Sequence, residues 1–347
     1  MGYVGPAVIK RLACTKRVEL FGYDNAYFGQ CVSPGCVYPE RLLAAQYYGD
    51  VRDITPDVFA GIDSVVYLAA ISNDPMGDAF GEPTRQINHE CAVRCATMAR
   101  ASGVRSFVFA SSCSVYGKGD GSPRTESSEV SPLTEYARSK IAAERDLLPL
   151  AASNFRITCL RFATACGFSE RMRLDLVLND FVASAISSGR IVILSDGLPW
   201  RPVIHIADMA RAIDWAMRRE DGGDFLVVNV GRNDCNLQVR DLAYAVAKQI
   251  PNVEVAIKNE RPGDQRSYQV DFSLFASLAP GYLPDYRISN SVRDLIAGFE
   301  STAFPQADPT QFIRLNVLKD LISRGEIDQS LAWQTSKRAH DVVTASA

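Results

Sequence analysis

Tyr136 and Lys140 stand four residues apart in Tyr136-Ala137-Arg138-Ser139-Lys140, after a serine-rich stretch, Ser111-Ser112-Cys113-Ser114-Val115-Tyr116-Gly117. On a helix that spacing puts both side chains on one face, one turn apart. A phenol with an ordinary pKa of about 10 is a poor base at neutral pH, and an ammonium beside it favours the phenolate. A hydroxyl from Ser112 could hold a reacting oxygen while Tyr136 moves its proton. That is the chemistry of an alcohol–ketone pair, given a hydride acceptor alongside. Taken alone, the pair equally fits an amphipathic helix with an exposed lysine, so the surrounding elements must decide.

The chain has 347 residues, 47% of them hydrophobic, enough for one large α/β unit or two domains. A formal charge of -3 argues against a nucleic-acid or anionic-membrane partner. No apolar run approaches the roughly 20 residues that cross a bilayer. The Gly-rich start, helix-like by Pro6, does not read as a signal peptide. The nine cysteines lack a C-x-x-C pair and sit mostly in apolar runs, which suits reduced thiols in a cytoplasmic protein. Cys91 and Cys95 share a helical stripe with Ile87 and Met98, so core packing is preferred to metal binding. Cys31 and Cys36 flank a Ser-Pro-Gly turn without an accompanying histidine, and no metal site is expected.

Short β-branched runs alternate with helical patterns. Strands are expected at 18–23, 64–69, 107–110, 157–162 and 226–230, and helices near 6–13, 84–102, 134–150, 174–188, 206–218 and 238–249. The alternation predicts a doubly wound parallel α/β sheet. After Gly167 the pattern loosens into Arg, Asp, Pro and Gly, as in a smaller substrate-facing part. The expected division is a Rossmann-type domain at 1–165 and 203–231, an interleaved substrate domain at 166–202 and 232–332, and a disordered polar tail at 333–347.

Met1-Gly2-Tyr3-Val4-Gly5-Pro6 reads as the second half of a Gly-rich dinucleotide fingerprint. Gly2 would let backbone approach a pyrophosphate, Gly5 would let the helix pack on the sheet, and the helix start would face the phosphates. The first glycine and the strand before it are missing from this reading, which suggests an internal Met or a shortened gene. Asp24 follows Gly2 by 22 residues, where an acid holds a ribose 2′-OH and disfavours a 2′-phosphate, so NAD is expected. Asp24-Asn25 also suits an ordinary turn. Asp50-Val51 follows a third presumed strand and suits an adenine edge. Leu68-Ala69-Ala70 is small at a strand end, where a nucleotide would cross the sheet, or where a core simply packs.

In this order the motifs resemble the extended short-chain dehydrogenase/reductase family, in its nucleotide-sugar epimerase/dehydratase branch, from Met1 to about Phe299. The resemblance implies that Gly2, Tyr3, Val4, Gly5, Asp24, Asn25, Asp50, Val51, Leu68, Ala69 and Ala70 hold NAD, with Tyr136 and Lys140 at its nicotinamide ribose. It implies Ser112, Tyr136 and Lys140 as catalytic residues. Asn88 matches an Asn that supports the active-site backbone, and is grouped with the substrate side. The segment from Gly197 through Arg201 and His205 to Asp208 matches one whose Arg grips a sugar-nucleotide diphosphate, and Arg261-Pro262-Gly263-Asp264 matches a second clamp. Guanidiniums suit a diphosphate because each offers a planar fork of donors. Singly, these residues read as surface ion pairs and a turn. His205 reads as a brace for a helix start. A homodimer through the helices near 84–102 and around Tyr136 is carried by the resemblance alone.

The resemblance further implies a shared first step, in which Tyr136 takes a proton from a sugar hydroxyl, usually at C4, as NAD takes the hydride. Dehydratases and decarboxylases of the family place carboxylates just after the Ser/Thr position, whereas this chain has Cys113 and Ser114 there. Epimerisation is therefore expected, with a dehydrogenase or ketoreductase, or a non-catalytic NAD-binding protein, as alternatives. Thr164 stands where the family usually has an Asn on the diphosphate, with Arg171 and Arg173 close behind as further phosphate contacts. Trp200 replaces a commonly polar residue beside the clamp. Residues 72–77 lie where relatives shape the sugar site, and otherwise read as an inert turn.

Overall fold

The computed structural model describes residues 2–15, 18–259, 266–302, 304 and 308–334. Arg261 and Asp264 lie outside these residues, as does the chain after Gln334. In order, the elements are α1 (Gly5–Ala13), β1 (Phe21–Asp24), β2 (Ala45–Tyr48), β3 (Ser64–Tyr67), α2 (Asp74–Ala79), α3 (Gly81–Arg85), α4 (Cys91–Ala101), β4 (Ser106–Ser112) and α5 (Glu135–Leu147). They continue with β5 (Arg156–Phe162), β6 (Thr164–Cys166), α6 (Val177–Ser188), β7 (Arg190–Ile193), β8 (Trp200–His205) and α7 (Ile206–Arg218). The last are β9 (Phe225–Val230), β10 (Asn236–Gln238), α8 (Val239–Ala247), β11 (Glu254–Ile257), α9 (Ser273–Leu278), α10 (Ile288–Glu300) and α11 (Arg314–Ser323).

The central sheet is parallel, in the order β3-β4-β5-β9. Its middle strands carry near-continuous apolar runs because helices cover both faces. Phe107, Phe109, Ile157 and Leu160 are fully buried there. The parallel pair β1-β2 stands as its own sheet, and no described strand joins it to β3. The expected sheet is thus present in two parts. α1 buries Val8, Ile9 and Leu12, an apolar stripe set by helical spacing after Pro6. The later part of the chain adds the three-stranded sheet β10-β8-β6 and the pair β11-β7.

All five expected strands and all six expected helical stretches are found, most with shifted ends, while 206–218 is matched at both ends by α7. Three features differ. The stretch 72–77, read as a segment that shapes the sugar site or as an inert turn, holds the start of α2, capped by the Asn73 side chain accepting from Met76 N. The helix expected over 84–102 contains a π turn, Gln86–Glu90, between α3 and α4. In the stretch read as a tail from 333, the Trp333 indole N–H donates to Asn25 O at 2.7 Å.

Candidate active site

β4 carries Ser112 to its carboxyl end, where the side chain caps the next turn by accepting from Ser114 N at 3.1 Å. α5 begins at the Thr134 cap, whose hydroxyl accepts from Ala137 N, and so presents Tyr136 in its first turn and Lys140 one turn later. The Thr134 hydroxyl also donates to Asp74 of α2, and Asp74 is ion-paired with Arg266. Gly77 lets α2 seat against this helix start, since a Cβ there would lie 3.0 Å from Tyr136 N. The neighbourhood that locates Tyr136 is therefore tied from two directions.

Ser112, Tyr136 and Lys140 come together as the sequence expects. Ser112 is near enough to Tyr136 to hold the phenol's pKa down. The Lys140 Nζ lies 5.7 Å from the Tyr136 ring centroid and 4.7 Å from that of Phe109. Burial pushes the phenol up, while Ser112 and the charge of Arg173 pull it back. Burial also pushes Lys140 down to about 7, opposed by Glu144. The expected lowering of the phenol by the lysine is not found: desolvation raises the phenol, the opposing pull comes from Ser112 and Arg173, and the buried Lys140 is itself pushed toward neutrality.

Beneath the pair, Glu144 receives Arg161 at 2.6 Å and the Ser111 hydroxyl at 2.5 Å. Arg161 also donates to the Tyr116 hydroxyl at 3.0 Å, and Tyr116 donates to Asn229 at 2.7 Å. On another side, Arg173 makes a two-point contact with Asp175, at 2.9 Å each, and donates to Ser72 at 2.9 Å. Asn73 donates to the same carboxylate at 2.5 Å. Glu144, Arg161, Asp175, Asp74 and Thr134 were not among the expected residues. Glu144 carried a usable signal, standing four residues beyond Lys140 on the same helical face.

Asn88 supports backbone beside the site, as the resemblance implies. It is fully buried, accepts from Ile71 N at 2.8 Å, and donates to Ile71 O and to the Ser139 hydroxyl. It braces the backbone after β3 against the helix of Tyr136. Tyr3 likewise turns inward, donating to Gly167 O at 2.6 Å, so only its backbone faces the Gly-rich turn. His205 braces a helix start as expected: its ring accepts from Ala207 N, contacts Asp294 at 2.9 Å and stacks on Tyr286. Thr164 opens β6 and is half-buried. Arg201, on β8, donates to Trp200 O at 2.8 Å and to Arg266 O. Arg171 is buried and pairs with Glu40 at 2.6 Å.

The Gly-rich end suits a dinucleotide. α1 starts without a capping side chain and without an acidic residue in its first turn, so its N–H groups are suited to an anion. A Cβ on Gly2 would meet nothing within 4 Å, which keeps that approach open. Asp24 ends β1, Ala69 is exposed just past β3, and Val51 begins the turn after β2. The Asp50 carboxylate already accepts from Arg52 at 2.8, 3.0 and 2.7 Å.

A model of the NAD dependent epimerase/dehydratase family matches residues 1–231. The chain belongs to this family. NAD is the cofactor of this family, and the Gly-rich end of the chain fits it. A UDP-glucose 4-epimerase of Streptomyces lividans is 28% identical over 273 residues, 71% of this chain and 78% of that protein. One from Neisseria meningitidis is 30% identical over 254 residues, 65% of this chain and 73% of its own length. The structure of MoeE5 in complex with UDP-glucuronic acid and NAD aligns with a TM-score of 0.74 at 24% identity, over 86% of this chain and 96% of that one. That of UDP-glucose 4-epimerase from Bifidobacterium longum in complex with NAD+ and UDP aligns at 0.73 and 20%, over 88% and 97%. These two likenesses establish the shared fold. Among the described residues no helix is long and apolar enough to cross a membrane, and no cluster suits a metal.

Proposed function

We propose that this family member epimerises a nucleotide-diphosphate sugar at C4 through a transient 4-keto sugar. The observation that carries the reading is the convergence of Ser112, Tyr136 and Lys140 without a carboxylate from Cys113 or Ser114. Cys113 is buried, its thiol directed to Arg161 O at 3.1 Å and pushed up by burial, which suits packing rather than acid–base work. Bound NAD supplies the hydride acceptor and, on return, the donor. Ser112 holds the reacting oxygen and Tyr136 takes and restores its proton. Lys140 sits below, where it would reach the nicotinamide ribose. Gly2, Val4 and Gly5 would lie along the pyrophosphate, Asp24 and Asn25 at the adenosine ribose, and Asp50, Val51 and the 68–70 segment around the base and ribose. Thr164 and Arg201, with Arg261 and Asp264 of the undescribed segment, are assigned to the sugar nucleotide. The relatives that are named UDP-glucose 4-epimerases make UDP-glucose the first substrate to try. A cytoplasmic homodimer, joined by the helices of 81–101 and by α5, completes the reading.

The test is a panel of UDP-, GDP-, CDP- and dTDP-sugars, with products separated and absorbance followed at the NADH wavelength. Interconversion of C4 epimers without net NADH is expected. Stoichiometric NADH accumulation would replace the epimerase with a dehydrogenase.

A further inference from the structure

The segment 327–334 returns, after α11, to the carboxyl ends of β1 and β2. It closes on itself as a hairpin, with Ile327 bridged antiparallel to Trp333 and Asp328 accepting from Ser330 N at 2.8 Å. Ile327 and Leu331 are buried. Its outward contacts converge on two turns. The turn after β1 receives the Trp333 indole N–H on Asn25 O, and Tyr27 meets the Trp333 ring at a 5.8 Å centroid distance. The Tyr27 hydroxyl donates to Leu331 O. The turn after β2 sends Arg52 to Ser330 O at 2.7 Å and to Leu331 O at 3.1 Å, while the same guanidinium grips Asp50.

Two non-glycine residues in this contact adopt left-handed backbone, Ala26 at φ 62° and Leu331 at φ 61°. Such conformations are sparsely populated and persist where surrounding structure over-determines them, as at binding sites. In open α/β sheets, ligands bind beyond the carboxyl ends of the strands. Hairpin, strained turns and carboxyl ends coincide.

We propose that the hairpin 327–334 is part of the dinucleotide's adenosine site, with Trp333, Tyr27 and Arg52 as its cofactor-retaining residues. This rests on the reading of Asp24 and Asp50 as the adenosine end. The hairpin fixes the two turns that carry those acids, and the cofactor leaves only as fast as the turns loosen. That retention suits an enzyme that returns the hydride it takes.

The experiment measures release of bound NADH by loss of its fluorescence on a chase with excess NAD. Trp333→Ala removes one hydrogen bond and one ring contact at an exposed position; Arg52→Ala removes the independent tie. Each is expected to speed release about tenfold, the scale of one such contact. Trp333→Phe, which retains a ring, is expected to recover part of the loss. Release within twofold of the parent in both alanine variants overturns the hairpin's role. Asp24→Ala separates that failure from a failure of the underlying reading. Weakened NADH affinity in Asp24→Ala with unchanged release in the hairpin variants rejects the hairpin alone. Unchanged affinity in Asp24→Ala rejects the adenosine placement and the proposal with it.

Discussion

Two buried arginines flank the Tyr136–Lys140 pair, and they do opposite work. Arg161 is closed within the fold. Its charge is matched by Glu144, which also accepts from Ser111, and Arg161 donates to Tyr116, which donates in turn to Asn229. Arg173 is equally well matched by Asp175, but its charge also reaches the Tyr136 phenol. The groups that shape the phenol's pKa are burial, Ser112, Arg173 and Cys113. The same residue type therefore serves as floor in one place and as an electrostatic partner of the base in the other. Pairing and burial do not distinguish the two; what each guanidinium faces does.

The largest expected effect tests the floor. Arg161→Met leaves Glu144 buried without its partner, and breaking such a pair costs about 3–5 kcal/mol. Chemical denaturation should show that loss, with the pH dependence of any remaining turnover unmoved. Next comes the group that both arginines surround. Tyr136→Phe should cut turnover by at least about 10²-fold, the usual scale for a general acid–base group, with stability held near the parent. Near-parent turnover in that variant would leave neither arginine a base to serve.

The floor and the flank were not equally legible. The parallel sheet was readable because strands buried on both faces become continuous apolar runs, as in 106–112 and 156–162. Tyr136, Lys140 and Ser112 were readable because fixed spacing on one helix and one strand end survives without tertiary knowledge. The bracing role of Asn88 was legible only through the family resemblance, since its partners Ile71 and Ser139 lie 17 and 51 positions away and local spacing does not reveal them. Arg173 and Arg171 looked alike in sequence; only the fold sends one to Asp175 beside the phenol and the other to Glu40. The contacts of 327–334 were invisible for the same reason. They join residues about 300 positions apart through backbone carbonyls, which carry no side-chain signature.

Lys140 sharpens the comparison from between the arginines. Its folded pKa of about 7 lies below its unfolded value of about 10.4. The unfolded chain therefore binds more protons across that window, and this group makes the protein more stable as pH rises through it. The cost of burying the ammonium is full below pH 7 and gone above the unfolded value. Lys140→Met removes that cost. It should gain on the order of 2 kcal/mol over the parent at pH 6, with the gain fading by pH 10, while turnover falls. Equal parent and variant stability at both pH values would show the ammonium to be solvated, and the burial argument would fail.

The smallest effect discriminates best between the two arginines. If Tyr136 acts as the base, turnover rises with pH as the phenol ionises, so its pKa sets the acidic limb of the profile. Arg173 lowers that pKa. Arg173→Met removes the positive charge and leaves the Asp175 carboxylate behind, and both changes move the limb to higher pH. Asp175→Asn leaves Arg173 charged with no counter-charge, and should move the limb to lower pH. Shifts of about half a unit to one unit are expected, since one unit corresponds to roughly 1.4 kcal/mol between the protonation states. Opposite signs at adjacent positions cannot come from a general loosening of the fold, which would move both variants the same way. A limb that moves in Arg161→Met and stays fixed in the Arg173 and Asp175 variants would reverse the assignment of floor and partner.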